Sequence, residues 1–171
     1  MFRRLDDFLT CWKEESAKTL EVFQAIPDEA MKTAVTPEHR DLLRLGWHLV
    51  ESLIEMPGHL GLSIDGAQLI QDGCIVAPPA TLKDVSAAYA KASASLVQGL
   101  AAWKDADLET EDQMYGETWK RGFTLFVLVT HQTHHRAQMT VLMRQAGLKV
   151  PGIYGPAKEG WAAYGMNVPA V

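Results

Sequence analysis

The sequence predicts an all-α protein, a four-helix bundle. Three observations carry that expectation. Four stretches place apolar residues at three- and four-residue steps, no stretch alternates long enough to be a strand, and Pro or Gly punctuates the joins. The composition agrees: 171 residues with 47% hydrophobic and 22% charged side chains describe one globular domain over 1–171. A chain of that length buries roughly 70% of its unfolded surface and needs no staple to fold.

The first helix is carried by Phe2, Leu5, Leu9, Trp12, Leu20 and Phe23, and stops at Pro27. The second opens with Thr36 as N-cap and Pro37 at the first helical position. It continues through Leu42, Leu45, Leu49, Ser52, Leu53 and Met56 to a stop at Pro57-Gly58. The third begins near Thr81, after Pro78-Pro79, and shows Val85, Tyr89, Ala92, Leu96, Leu100 and Trp103. The fourth runs from Thr118 to Ala146, with Gly147 as the left-handed residue that ends it. At 1.5 Å per residue, helices of 20 or so residues are about 30 Å long, the scale of a bundle.

The connections are informative too. Residues 57–80 form a link far longer than a hairpin needs, and at about 3.3 Å per residue it can cross the whole bundle. The second and third helices are therefore expected to run parallel, joined by a crossover. Segment 104–117, with Asp105, Asp107, Glu109, Glu111 and Asp112, reads as a solvated return. The tail from 148 to 171 is rich in Gly and Pro but holds Tyr154, Trp161 and Tyr164, so it is expected to dock on the bundle or on a partner subunit.

The formal charge of -5, from 16 basic and 21 acidic residues, argues against a nucleic-acid face. Cys11 and Cys74 are too few for a disulfide framework and belong to no C-x-x-C pattern, which favours a reducing, cytoplasmic setting. The first residues lack the apolar core of a signal peptide, and no apolar run approaches the roughly 20 residues that span a bilayer.

His131, His134 and His135 crowd into five residues behind the apolar run Phe123–Thr130. On a helix, His131 and His135 stand one turn apart on one face, close enough to share a metal ion. The competing reading is a partly exposed cluster, or core imidazoles satisfied by neighbours. Burial favours ligation, because unpaired polar rings are costly inside a protein. A third ligand is needed, and His48 shares the inward stripe of the second helix with Leu45, Leu49 and Ser52. Three neutral imidazoles match sites that leave coordination positions open for water or substrate, and they suit Zn, Ni, Cu or Fe(II). Gln138 lies on the face of His131 and either orients a ligand or bonds at the core edge. Arg136 is expected in a surface salt bridge, its alternatives being to fix a carboxylate or to support a subunit contact. Glu51, three residues after His48, is expected on a solvated helix face, its alternative being an acceptor behind His48 or a general base. His59 reads as a solvated loop residue, and nothing in sequence suggests that Cys74 is activated.

The run His131-Gln-Thr-His-His-Arg-Ala-Gln138, continuing through Leu142-Met-Arg-Gln-Ala-Gly147 to Val150-Pro-Gly-Ile-Tyr154, resembles the end of a DinB-like (YfiT-like) metal-binding bundle. Residues 45–50, Leu-Gly-Trp-His-Leu-Val, are similar to that family's earlier histidine motif. The resemblance implies an up-down-down-up bundle, a divalent metal held by His48, His131 and His135, and a homodimer. Zn or Ni is the expected ion, with Fe, Cu or Mn as further choices. His134 then falls to a supporting or substrate-facing role. Ala137 stands where the family often has Gly, a change that touches packing rather than the metal.

The function so implied is a metal-dependent S-transferase or isomerase, using a low-molecular-weight thiol such as bacillithiol, mycothiol or glutathione, with thiol activation by the metal and transfer to a small electrophile. Metal-assisted hydrolysis of a small ester or amide is the second reading. The third is a non-enzymatic metal-binding stress-response protein, disfavoured because structural zinc sites are usually closed by four ligands, often cysteines. Neither a membrane nor a nucleic acid is expected as a partner, despite the family's damage-inducible name.

Overall fold

The computed structural model describes residues 1–170 and is mostly helical. Four long helices dominate the described residues: α1 Leu5–Gln24, α2 Leu42–His59, α3 Leu82–Leu100 and α4 Arg121–Gln145. Their apolar faces converge on one core that includes Phe8, Trp12, Leu49, Leu53, Leu96 and Leu128. α1 packs on α3 and α4, and α2 packs on the same two helices. Polar contacts mark these seams. The Trp12 indole donates to Ser93 Oγ at 3.0 Å between α1 and α3, and the Phe2 amide donates to the Gly122 carbonyl at 3.0 Å, where the chain entering α1 meets α4. Between α2 and α3 the backbone approach is close: a Cβ on Gly46 would lie 3.3 Å from Leu82 and Val85.

Capping explains the boundaries. The second helix starts later than Thr36-Pro37 predicts. Asp41 is the cap, accepting the Arg44 amide at 2.7 Å immediately before the first buried leucines. Thr36–His39 is instead a turn closed by the His39 amide on the Thr36 carbonyl at 3.0 Å, with Pro37 at the position where its fixed φ suits a turn equally well. α2 also runs past Pro57 to His59; a proline near the last turn removes one donor without forcing a stop. α3 begins where expected, Thr81 accepting the Asp84 amide at 3.1 Å while its hydroxyl donates to the Asp84 carboxylate at 2.7 Å. α4 ends as expected, at Gly147 with φ +74°. Its amide bonds the Arg144 carbonyl at 3.0 Å and the next amide, of Leu148, bonds Met143 at 2.9 Å.

Strands are the feature the sequence reading lacked. β1 Ile70–Gln71 pairs antiparallel with β2 Cys74–Ile75, and β3 Glu111–Met114 with β4 Glu117–Lys120. Both hairpins turn through two residues of positive φ, Asp72-Gly73 (52° and 77°) and Tyr115-Gly116 (52° and 85°), the turn whose twist suits a tight hairpin. Strands of two and four residues are too short to display alternation. Thr118 therefore lies in β4, and α4 starts at Arg121.

The acidic return is structured as well. It opens with a 3₁₀ turn over Asp105–Glu109 and buries Leu108 and Met114. Asp105 accepts the Leu5 amide at 2.8 Å and so caps α1 from 100 residues away. Asp112 pairs with Arg121 at 2.8 Å. Segment 104–117 is not merely solvated, because its carboxylates serve helix starts.

The tail is anchored along part of its length. Leu148, Val150 and Ile153 pack on the core, the Tyr154 hydroxyl reaches between α1 and α4, and Glu159 pairs with Arg144. Tyr164, Met166 and Val168 are exposed, and Val171 lies outside the described residues. Among the described residues no helix is long and apolar enough to cross a membrane.

Candidate metal centre

α2 and α4 meet at mid-height, and the meeting is fixed by a buried glutamine. Gln132 on α4 donates to the Leu49 carbonyl at 3.1 Å and to Ser52 Oγ at 3.0 Å, both on α2. That contact sets His131 and His135 opposite His48. One ligand atom from each of the three rings lies within 4.8 Å of the others. The ring centroids are 5.0 Å apart for His48 and His131, 4.6 Å for His48 and His135, and 4.5 Å for His131 and His135. No carboxylate or thiol belongs to this group of candidate ligands among the described residues.

Side chains behind two of the rings decide which nitrogen faces the cluster. His48 Nδ1 lies 3.3 Å from Glu51 Oε2, which also accepts from Arg44 at 2.9 Å. His135 Nδ1 lies 2.8 Å from Gln138 Oε1. With an acceptor on each Nδ1, the proton resides there and the Nε2 lone pair is left for a ligand. Nδ1 of His131 is buried and has no partner among the described residues.

The electrostatics favour the neutral form of His131 and His135. Burial pushes His131 down to about 4, and the neighbouring His135, His48, His134 and Arg40 push in the same direction. His135 is lowered for the same reasons, burial first, with the Gln138 bond opposing. For Glu51, burial works to raise the pKa, but hydrogen bonds from His48 and Arg44 overcome it and hold the carboxyl ionised.

Neutral imidazoles with free lone pairs are metal ligands at physiological pH. Three nitrogens on one ion at about 2.1 Å stand about 3.4 Å apart, so small side-chain rotations from the observed spacing suffice. The orphaned His131 nitrogen adds a buried polar atom that the protein alone leaves unsatisfied. The donor set fits a divalent ion.

Two sequence expectations are corrected here. Glu51 is buried rather than solvated, because it is enclosed by the two partners it serves, His48 and Arg44. Arg136 is not a surface ion pair. Its side chain is 2% exposed and donates to the Glu15 carboxylate, the Glu15 carbonyl at 2.9 Å, Thr19 Oγ1 at 3.1 Å and the Tyr154 hydroxyl at 2.5 Å. Gln138 backs His135 and also touches His134 Nε2 at 3.1 Å, leaving His134 exposed beside the trio. His59 stacks edge-on against Tyr115, 5.6 Å away, and does not belong to the group of candidate ligands. Cys74 is exposed on β2.

Two cavities flank the cluster. One, of about 500 Å³, lies against His135 and Gln138 and is walled by Val35, Leu45, Val141 and Leu142. The other, of about 250 Å³, lies against His48 and Glu51 and is roofed by Leu69, Ile70 and Ile75 of the first hairpin. Arg40 lines both. Sequence reasoning missed Gln132, Arg40 and the Glu15–Arg136 pair. A signal existed for Glu15, which interrupts the inward stripe Phe8, Trp12, Thr19 and Val22 and so needed a buried partner.

Comparison with known proteins identifies the relatives of the chain. The family model described as "DinB family" matches residues 1–167. Uncharacterized protein YrdA of Bacillus subtilis (strain 168) is 38% identical over 170 residues, covering 99% of each chain. A DinB-like protein from Bacillus cereus ATCC 10987 superposes with a TM-score of 0.82 at 34% identity, over 90% of this chain and all of that one. The DinB-like protein YjoA of Bacillus subtilis shares the fold at a TM-score of 0.66 and 15% identity, over 88% of this chain and 99% of that one. On the whole-chain model match and these relatives, the chain belongs to the DinB family.

Proposed function

We propose that His48, His131 and His135 bind a divalent metal, zinc or nickel by preference, and that the protein is a metal-dependent enzyme of the thiol-transferase or thiol-dependent isomerase class. The observation that carries this reading is three imidazoles converging between two cavities, with no fourth protein ligand in the group among the described residues. A divalent ion held this way supplies Lewis acidity, lowering the pKa of a thiol or water that reaches it. The choice of thiol over water follows the family resemblance.

The chain's own residues prepare that chemistry. Glu51 and Gln138 hold the Nδ1 protons of His48 and His135 and keep both rings oriented. Gln132 fixes the two helices in register, and Leu45 with Leu142 keeps one side of the centre apolar. His134 and Gln138 border the trio on its exposed side, within reach of a small molecule.

The same reading makes the architecture a four-helix bundle in up-down-down-up order. It is supported by the pairing of Phe2 with Gly122 and Glu15 with Arg136, which run in the same direction along α1 and α4. The 57–80 link, which has room for a crossover, is consistent with it.

The test is elemental analysis of purified wild type, His48→Ala and His135→Ala, combined with a panel of low-molecular-weight thiols against a chlorinated aromatic acceptor. One bound ion in wild type, lost in both variants together with turnover, is the expected result. Full metal occupancy in both variants removes the site assignment. Ester hydrolysis without turnover of any thiol moves the protein to the hydrolase reading, and bound metal with neither activity moves it to a metal-binding role.

A further inference from the structure

We propose that Arg40 is the recognition residue for the charged end of the substrate, and that this substrate is a small organic carboxylate whose apolar body occupies the cavity between Val35, Leu45, Val141 and Leu142. The proposal deepens the functional reading above and depends on it only for the chemistry that follows binding.

Arg40 is the one residue common to the two cavities beside the histidines. Among the described residues it makes no ion pair and no side-chain hydrogen bond. The contrast with its neighbour is sharp, since Arg44, one turn on, is neutralised by Glu51 at 2.9 Å. None of the acids lining the cavities pairs with it: Glu51 is taken by Arg44 at 2.9 Å, Glu55 faces the Tyr115 hydroxyl, and Glu38 is exposed to solvent and accepts the Thr36 hydroxyl at 2.6 Å. Arg40 lines both cavities beside the rings, and a divalent ion bound among those rings would repel its guanidinium. An anionic ligand group removes that repulsion and satisfies a fork of donors the protein leaves open.

The shape of the larger cavity narrows the ligand class. Its wall is aliphatic, and two of its side chains, Val35 and Val141, are 65% and 57% exposed, so an apolar ligand body covers surface that water now meets. The volume of about 500 Å³ lies within the range of small-molecule sites. A single guanidinium matches one carboxylate through two parallel bonds, whereas a phosphate dianion would leave half its charge unmatched. An apolar acid is the ligand this wall and this cation select together.

The experiment uses three probe pairs: phenylacetate, 4-phenylbutyrate and 6-phenylhexanoate, each with its neutral amide. Binding is measured by ligand-observed NMR to metal-loaded and metal-free protein, in wild type, Arg40→Gln and Arg40→Lys. Wild type is expected to prefer at least one acid over its amide by about tenfold. Arg40→Gln should erase that preference while leaving amide binding unchanged, and Arg40→Lys should restore part of it. Arg40 is exposed, so circular dichroism should show all variants folded. The proposal is overturned if no acid binds, if acid and amide bind wild type equally, or if Arg40→Gln keeps the preference. A preference that vanishes on metal removal also overturns it, because the carboxylate would then sit on the ion. A preference that persists in His48→Ala, which should lack metal, supports Arg40 even where the metal reading fails.

Discussion

Replacing Arg136 with leucine is the sharpest test of how α1, α4 and the tail are joined. The guanidinium is almost wholly buried and makes four hydrogen bonds, two of them to Glu15 and one to Tyr154. Breaking a buried ion pair by removing one partner typically costs about 3–5 kcal/mol, because the other charge is left desolvated. The lower end applies here, since Glu15 keeps the Tyr154 hydroxyl at 2.5 Å and Lys18 at 3.2 Å. A loss of about 3 kcal/mol corresponds to a fall in Tm of roughly 6–12 °C for a chain of this size. The double variant Arg136→Leu with Glu15→Leu leaves no buried unpaired charge, only the more exposed Lys18, and should be markedly more stable than the sum of the single losses.

Acid titration adds a second readout to the same variants. For Glu15, burial alone would raise the pKa, but the bonds from Tyr154, Arg136 and Lys18 prevail and hold it below its ordinary value of 4.5. A lowered folded pKa means that the stabilisation is complete above the unfolded value and disappears as pH falls through the folded one. Urea unfolding from pH 7 down to pH 3 should therefore show a steep acid limb in wild type and a shallower one in Arg136→Leu. Equal stability of Arg136→Leu and wild type at pH 7, or strict additivity in the double variant, would refute the reasoning.

Three further outcomes are expected. Glu51→Gln should weaken metal binding about 10- to 100-fold in chelator competition, because His48 loses the carboxylate behind it; unchanged affinity would show that Glu51 serves Arg44 alone. Gly122→Ala should cost about 1–3 kcal/mol in urea unfolding, as overpacking does, since the added Cβ would lie 2.1 Å from the Phe2 carbonyl oxygen. In metal-free protein the His131 ring should stay neutral to about pH 4 in NMR titration, burial being the main cause. Because its folded pKa lies below the unfolded one, its contribution makes the metal-free fold less stable as pH drops from about 6.5 toward 4.

Helical periodicity was the strongest signal in the chain, and it placed all four long helices within a few residues. Boundaries depended on competing caps: Thr36-Pro37 and Asp41 are both good starts, and only the position of Leu42 and Leu43 in the core decides for Asp41. The first hairpin was legible in one dipeptide, Asp72-Gly73, whose positive φ values are those such pairs adopt. The second was not, since a tyrosine rarely takes that conformation; here the Tyr115 ring packs edge-on against His59 and Trp119. In the candidate centre, one-turn spacing and the inward stripe of the second helix brought His48, His131 and His135 under suspicion together. The rest of its surroundings hid in long-range pairings: Gln132 meets α2 some 80 positions away, and Arg136 meets Glu15 across 121. Neither separation leaves a local pattern to read.

The two side chains that clamp α4 have a consequence for how freely the rest of the protein can vary. Gln132 and Arg136 follow the two histidines by one residue each, and they reach opposite neighbours, α2 and α1. Aliphatic packing tolerates exchange of one leucine for another shape and lets a helix creep or roll as it readjusts. Directional bonds to a carbonyl, a hydroxyl and a carboxylate do not, because a shift of one turn, about 5.4 Å, breaks them all at once. Alignment of the imidazoles is thereby uncoupled from the exact contents of the core. Sequences can drift widely at the apolar positions, and an engineer can repack them, while the centre keeps its spacing so long as those two polar keys remain in place.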